Sequence, residues 1–141
     1  MPRETNEALG RRFFAEQDRL KGGPAEELCR SEYRAHIGGN PPVDRAGHEG
    51  FAAMFYSAFP DLSHTVEDTV ADEENVAVRF VLRGTHTGDF MGIPATGRPI
   101  TVPAIAVLNV VDGQVAELHA NFDQVGMMMQ LGVIPAPETT G

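Results

Sequence analysis

Three polar side chains near the end of the chain alternate along a segment that has strand character. His119, Asn121 and Asp123 are each two residues apart, so on a β-strand they point to the same side. A histidine, an amide and a carboxylate on one face could move protons and hold a carbonyl oxygen. The residues between them are apolar. Whether the polar face borders a cavity or water therefore decides between catalysis and an ordinary solvated strand.

Asp123 is the first candidate for an acid/base group. Abstraction of a proton next to a carbonyl needs a base in surroundings of low polarity, where burial raises the pKa of a carboxyl group. The same residues also fit a helix start, a capping box with Asn121 as the N-cap and Gln124 at the third helical position. In that case the helix dipole stabilises the charged form of Asp123 instead. Catalysis and capping both remain open at this point.

The other polar candidates also carry two interpretations each. His119 could protonate a carbonyl oxygen or orient a substrate, and Asn121 could hold a substrate oxygen or cap a helix. His36 could face a pocket or lie in a surface loop. Tyr33 could offer its phenol to an enolate or belong to the core. His86 is expected to pin a loop by hydrogen bonds.

An adaptable apolar wall is the last feature with functional potential. Methionine is flexible and polarizable, so a group of methionines suits a flat polycyclic ligand, although such a stripe at helical spacing also fits plain core. The residues concerned are Met54, Met91 and Met127–Met129. We predict Phe55, Met91 and Met128 as contacts for such a ligand.

Bulk properties limit the classes of function. The 141 residues suffice for one domain with a sizeable core, and we expect a single domain over 1–141. The net charge of −9 and the scattered basic residues argue against nucleic acid or an anionic membrane as a partner. No apolar run approaches a membrane span, and the first residues are too polar and acidic for a signal peptide. One cysteine excludes an internal disulfide and favours the cytoplasm.

The elements that must position these residues follow from periodicity. Three N-terminal helices are predicted, followed by a meander of four long strands and a short C-terminal helix, which together indicate an α+β fold. An Asp-Gly pair between the last two strands predicts a tight hairpin. The predicted helices cover residues 5–21, 24–35 and 48–59, the strands 62–70, 76–83, 100–111 and 114–122, and a final helix contains Val125 and Leu131.

The order of these elements and several short motifs resemble the SnoaL-like polyketide cyclases, which have the nuclear transport factor 2-like cone. The resemblance covers about residues 25–134, and the motifs that carry it are Phe59-Pro-Asp-Leu62, Val76-Ala-Val-Arg-Phe80, Gly84-Thr-His-Thr-Gly-Asp-Phe-Met-Gly-Ile-Pro94, Thr96-Gly-Arg98, Asp112-Gly113, Glu117, Asp123 and Gln130-Leu-Gly132. It implies a strongly bent antiparallel sheet covered by helices, and a homodimer packed through the outer face of that sheet.

The resemblance also implies chemistry. Family members close a ring of an aromatic polyketide by an intramolecular aldol reaction without a cofactor, and a carboxylate at the position of Asp123 acts as acid/base. We therefore expect Asp123 and His119 to act on a hydrophobic polycyclic substrate with no metal, flavin or nicotinamide. No His-x-x-x-His pair and no cysteine cluster suggests a metal site. The alternatives are a binding protein of the same fold without catalysis, and an isomerase or hydrolase on the same cone.

Overall fold

The computed structural model describes residues 2–135, which form three α-helices and one five-stranded sheet. The helices are α1 (Arg3–Leu20), α2 (Arg45–Ala58) and α3 (Gln124–Gln130). The strands are β1 (Cys29–Ile37), β2 (Ser63–Ala71), β3 (Asn75–Thr85), β4 (Pro99–Val111) and β5 (Gln114–Phe122). This architecture confirms the predicted α+β fold.

The sheet has the strand order β1-β5-β4-β3-β2. The four long strands from β2 to β5 pair antiparallel, as the alternating sequence predicts, whereas β1 joins the edge of β5 in parallel. Between β4 and β5, Asp112 and Gly113 both have positive φ angles of 50° and 76°. A tight hairpin of this hand needs that conformation, and a glycine adopts it without strain.

The second predicted helix, residues 24–35, is wrong. Only a short 3-10 turn, Glu26–Leu28, forms there, and the chain then extends into β1. Two acidic residues in a first turn suggested a helix, but Tyr33, Ala35 and Ile37 are buried while Arg34 between them is exposed. This period of two is the pattern of a strand. Two helices rather than three therefore precede the long strands, and the sheet is mixed rather than purely antiparallel.

One face of the sheet, called the inner face below, carries the core. Helix α1 packs over β2 and β3, α2 packs over β1, and α3 lies against β4. Alternate residues of the central strands turn inward and are buried, among them Val76, Val78 and Phe80 of β3 and Val102, Ala106 and Leu108 of β4. The opposite, outer face has no covering helix among the described residues, and Ile105 and Val107 are exposed on it.

The long connection between β3 and β4 is fixed by His86, as expected. This side chain is fully buried, and its Nδ1 accepts a hydrogen bond from the Thr96 backbone N–H at 3.2 Å. Backbone hydrogen bonds of Thr87 and Gly88 to the Ala58 carbonyl hold the connection against the end of α2. The connection thereby brings Phe90 and Met91 to the cavity described next.

Candidate active site

Two adjoining chambers lie between the inner face of the sheet and the helices. The inner chamber has a volume of about 70 Å³ and the outer one about 570 Å³. Ile37, Phe51, Phe55 and Phe122 line both chambers, so the two share a wall. The outer volume falls in the range of pockets that hold drug-sized ligands, about 300–1,000 Å³. The inner chamber has room only for a small part of such a ligand.

The outer chamber is walled by methionine and phenylalanine. Met54, Met91, Met127 and Met128 all line it, together with Phe90. The structure thus brings together the three predicted ligand contacts, Phe55, Met91 and Met128, in one wall. Met91 is 71% exposed, which places it where the chamber meets solvent. The wall is apolar and adaptable because methionine side chains are flexible.

A histidine–aspartate pair is the main polar feature of the inner chamber. His64 of β2 lines the chamber, and its Nδ1 lies 2.7 Å from Asp18 Oδ1 of α1. The backbone N–H of His64 donates to Asp18 Oδ2 at 2.7 Å, and the Tyr56 hydroxyl donates to Asp18 Oδ1 at 2.7 Å. Phe14 and Phe80 flank the imidazole, with ring centroids 5.3 Å and 5.4 Å away. The pair is therefore held rigidly against an apolar space.

The protonation of this pair follows from its hydrogen bonds. Burial disfavours the charged form of Asp18, but hydrogen bonds from His64 and Tyr56 outweigh it and keep the pKa of the carboxyl below its ordinary value. Because an ionised carboxylate only accepts hydrogen bonds, His64 must donate from Nδ1. In neutral His64 the other nitrogen, Nε2, then carries a free lone pair. That is the arrangement of an oriented general base.

A second histidine, His48 of α2, lines the same chamber in a different state. It is 6% exposed, and its Nδ1 lies 2.8 Å from the Tyr33 hydroxyl. Burial, with a smaller contribution from His64, lowers the pKa of His48 to about 4, so the ring is neutral at pH 7. The contact permits either direction. If the Tyr33 hydroxyl donates to Nδ1, the proton of neutral His48 lies on Nε2, and we adopt this tautomer for the site. A neutral imidazole of this kind can donate a hydrogen bond to a developing negative charge.

Gln17 of α1 supplies a further donor. Its side chain is 3% exposed and lines the inner chamber, and its Nε2 has no hydrogen-bond partner among residues 2–135. A buried polar group without a partner costs about 1–3 kcal/mol. A ligand oxygen in the chamber would satisfy this amide. The inner chamber therefore combines one acceptor, His64, with two donors in an otherwise apolar lining.

Asp123 lies outside both chambers. It is exposed and is the N-cap of α3, where its Oδ1 accepts a hydrogen bond from the Gly126 backbone N–H at 2.8 Å. The prediction that Asn121 caps this helix is wrong, since the cap is Asp123 itself. Asn121 is exposed on β5, although it contributes to the lining of the inner chamber. The catalytic role predicted for Asp123 stays a prediction.

His119 and His36 meet on the outer face of the sheet, away from the chambers. They are register partners of β5 and β1, and their rings stack with centroids 4.2 Å apart. Glu117 Oε1 lies 2.6 Å from His119 Nε2 and 3.4 Å from His36 Nε2. The remaining candidate, Tyr33, is buried behind His48. Residues 36 and 119 are far apart in sequence, so a search for local spacing of histidines could not detect this group.

The inner-chamber residues were missed, although the sequence carried a signal for two of them. His64 stands two residues from both Leu62 and Val66, so it shares an apolar strand face with them. His48 precedes Ala52 and Phe55 at helical spacing on the buried face of α2. A histidine on an apolar face is a candidate for a cavity. The sequence contains no comparable pattern for Asp18, because its partner His64 is 46 residues away.

Comparison with known proteins agrees with this fold. Residues 9–131 match the family model of the SnoaL-like polyketide cyclases, and the chain belongs to that family. A curated relative, the aklanonic acid methyl ester cyclase DauD of Streptomyces sp. (strain C5), is 35% identical over 99 residues. This alignment covers 65% of the chain and 60% of DauD. The chain thus matches somewhat less than two thirds of that relative's length.

Solved structures show the same fold over nearly the whole chain. IdmH of Streptomyces antibioticus, proposed to be a polyketide cyclase, is 33% identical with a TM-score of 0.73, covering 92% of this chain and 96% of IdmH. AclR of Streptomyces galilaeus, proposed to be a hydroxylase, is 25% identical with a TM-score of 0.85, covering 96% of this chain and 86% of AclR. Among residues 2–135, none of the three helices has the length and hydrophobicity of a membrane span.

Proposed function

We propose that this protein is a polyketide cyclase that closes a ring of a polycyclic aromatic polyketide ester by an intramolecular aldol reaction. The observation that carries the proposal is the pair of Asp18 and His64, which presents an oriented imidazole to an apolar inner chamber. The name of the relative DauD, an aklanonic acid methyl ester cyclase, supports an ester of this class as substrate. The reaction needs only proton transfer by the chain's own side chains.

The two chambers suit two parts of such a substrate. The flat ring system fits the outer chamber, where Met54, Met91 and Met128 can adapt to its faces. The reacting end, with its carbonyl groups, enters the inner chamber beside His64. There a carbonyl oxygen would accept hydrogen bonds from Gln17 Nε2 and His48 Nε2. Both donors lie in a space from which most water is excluded, which strengthens their effect on a developing charge.

The reaction consists of a proton transfer, the formation of one carbon–carbon bond, and a second proton transfer. His64 Nε2 removes a proton from the carbon between two carbonyl groups, and the resulting enolate oxygen is stabilised by His48 and Gln17. The enolate carbon then attacks a ketone carbonyl of the same molecule and forms the new carbon–carbon bond. The alkoxide produced takes the proton back from the His64 imidazolium. No atom is gained or lost, so substrate and product are isomers.

An assay can separate the proton transfer from the ring closure. Wild type and His64→Gln are incubated with anthraquinone-type polyketide esters, and liquid chromatography with mass spectrometry follows a product of unchanged mass and new retention time. The same incubation in D₂O reports enolisation as the rate of deuterium uptake at the activated carbon of recovered substrate, after subtraction of the spontaneous uptake measured without enzyme. His64→Gln should lose both signals by about 10²–10⁴-fold. Wild-type rates in a folded His64→Gln variant would contradict the assignment.

The sequence-based assignment of Asp123 as acid/base and His119 as its partner predicts a different result. Under it, Asp123→Asn loses turnover while His64→Gln keeps it. The amide in Asp123→Asn can still cap α3, so a loss of turnover in that variant would not come from loss of the helix cap. The alternative of a binding protein without catalysis predicts that a polycyclic ligand raises the melting temperature by mass action yet is recovered unchanged.

We also propose a homodimer formed through the outer face of the sheet. The family resemblance implies it, and the exposed side chains of Ile105 and Val107 on that face support it. Light scattering should give twice the chain mass for wild type and a lower mass for Ile105→Glu. A monomeric wild type would exclude it.

For location we propose the cytoplasm. The chain has one cysteine, Cys29, and so has no internal disulfide, which is typical of proteins in a reducing compartment. Cell fractionation that finds the protein outside the cytoplasm would contradict this.

A further inference from the structure

Two histidines and a glutamate form a compact group on the outer face of the sheet. His36 of β1 and His119 of β5 are register partners across a parallel pair, and Glu117 lies two residues before His119 on the same face. One ligand atom from each of the three side chains lies within 4.8 Å of the other two. Imidazole nitrogens and a carboxylate oxygen are the donor set of many zinc sites. The group is separate from both chambers, so it plays no part in the proposed ring closure.

The distances are close to those of a metal site. Metal–ligand bonds of 2.0–2.1 Å at a tetrahedral ion place neighbouring ligand atoms about 3.3 Å apart. The distance from His36 Nε2 to Glu117 Oε1 is 3.4 Å, and that from His119 Nε2 to the same oxygen is 2.6 Å. The second is a direct hydrogen bond, which an ion would replace. The two rings are parallel, with an interplanar angle of 2°, so the His36 and His119 side chains must both rotate to direct their Nε2 lone pairs to one ion.

Exposure and charge permit entry of a cation. In the single chain the side chains of His36, Glu117 and His119 are 34%, 45% and 55% exposed, so an ion can reach the ligand atoms there. Because His119 is the register partner of Val107, the group lies beside the proposed dimer face, and zinc should bind the Ile105→Glu variant at least as tightly as wild type. The net charge of −9 attracts cations to the protein as a whole. Arg34, the register partner of Glu117, is the nearby charge that opposes binding. Its guanidinium Nη1 donates instead to the Tyr33 carbonyl oxygen, at 3.2 Å.

The position of the group suggests what an ion would do. Strand β1 is the edge strand that pairs in parallel, and its register with β5 is interrupted between Cys29 and Arg34. A bond from one ion to residues of both strands would fasten the end of β1 to β5. An ion that binds only the folded chain raises its stability by mass action.

We propose that His36, Glu117 and His119 form a binding site for a borderline divalent transition metal ion, with Zn²⁺ as the preferred probe. Three protein ligands leave the fourth position of a tetrahedral ion to water. The ion ties β1 to β5 from the outer face. This site is independent of the proposed cyclase activity, so either can fail without the other.

Calorimetric titration of chelator-treated full-length protein with ZnCl₂ tests the site. Wild type should bind one ion per chain with a dissociation constant on the order of micromolar, and His36→Gln and His119→Gln should each weaken binding by about 100-fold or more. His48→Gln is the matched control, because it removes a histidine of α2 that lines the inner chamber, away from the outer face, and should leave zinc affinity unchanged. Zinc should raise the melting temperature of wild type and His48→Gln but not of the two ligand variants.

Two further measurements guard against misfolding and nonspecific binding. The circular dichroism of His36→Gln and His119→Gln in the presence of a chelator should match wild type, since both side chains are partly exposed. X-ray absorption of the zinc complex should show two imidazole ligands with oxygen in the remaining positions. The proposal is overturned if wild type binds zinc no tighter than millimolar, or if zinc binds and stabilises the ligand variants as it does wild type.

Discussion

Replacement of Asp18 by asparagine tests the inner-chamber chemistry without touching a residue that meets the substrate. The carboxylate accepts three hydrogen bonds of 2.7 Å, two of them from His64 and one from Tyr56. An amide of the same shape has one acceptor oxygen and one NH₂ group. Because both Asp18 oxygens accept bonds from His64, one of these bonds is lost or the imidazole must turn its lone pair toward the amide. In the second case the proton moves to Nε2, which can no longer act as a base.

The expected loss of turnover is therefore that of a general base, about 10²–10⁴-fold in kcat. The loss of a buried, charge-assisted hydrogen bond should also lower the free energy of unfolding by about 1–3 kcal/mol, a change that a melting curve detects. Deuterium uptake from D₂O at the activated carbon of the substrate measures the chemical step directly. The loss should appear there as well as in product formation.

The matched control is Glu16→Gln, the same chemical change two residues earlier on α1. Glu16 pairs with Arg19 at 2.7 Å on the helix surface, so its replacement should leave turnover unchanged and the melting temperature nearly so. The reasoning is refuted if Asp18→Asn, shown to be folded by circular dichroism, exchanges deuterium within a few fold of the wild-type rate.

The remaining predictions concern stability. The pKa of His48 is about 4 in the folded protein against an ordinary 6.5. As the pH falls from 6.5 to 4, the unfolded chain therefore binds a proton that the folded chain does not, and wild type should lose up to about 3 kcal/mol of unfolding free energy. Urea titrations of His48→Gln should show a smaller loss, and an equal loss would contradict the burial argument. Asp123→Ala should cost about 1 kcal/mol by loss of the helix cap and Asp123→Asn much less, so equal melting temperatures for the two variants would argue against capping. A Cβ on Gly88 would lie 2.5 Å from the Ser57 carbonyl oxygen, so Gly88→Ala should lower the free energy of unfolding in urea by about 1–3 kcal/mol. The control is Gly39→Ala, whose Cβ would meet nothing within 4 Å and which should not lower it.

Elements with a strong local pattern could be predicted from the sequence. Strand β5 was predicted with its observed bounds, Gln114–Phe122, because polar and apolar residues alternate in it and an Asp-Gly turn precedes it. Strand β1 was missed because its local signals conflict: Glu26 and Glu27 favour a helix start, while the alternation that marks the strand begins only at Tyr33. The parallel pairing of β1 with β5 is a long-range contact that no local pattern contains.

The walls of the outer chamber could be predicted because they need only residue type and spacing, as with Met91 and Met128. The polar centre of the inner chamber could not, since α1 brings Asp18 to His64 only when it packs over β2. The outer-face group was missed for the same reason: His36 and His119 are neighbours through strand register alone. Side chains that act together here come from different elements, and their meeting depends on topology.

In the proposed mechanism, the base for ring closure lies in the inner chamber at His64. The most direct test compares deuterium uptake by an anthraquinone-type polyketide ester with wild type, His64→Gln and Asp123→Asn, each shown to be folded. Uptake faster than the spontaneous rate with wild type and Asp123→Asn, and uptake at the spontaneous rate with His64→Gln, is the predicted result. Uptake that survives in His64→Gln and disappears in Asp123→Asn would contradict it and place the base at the start of α3.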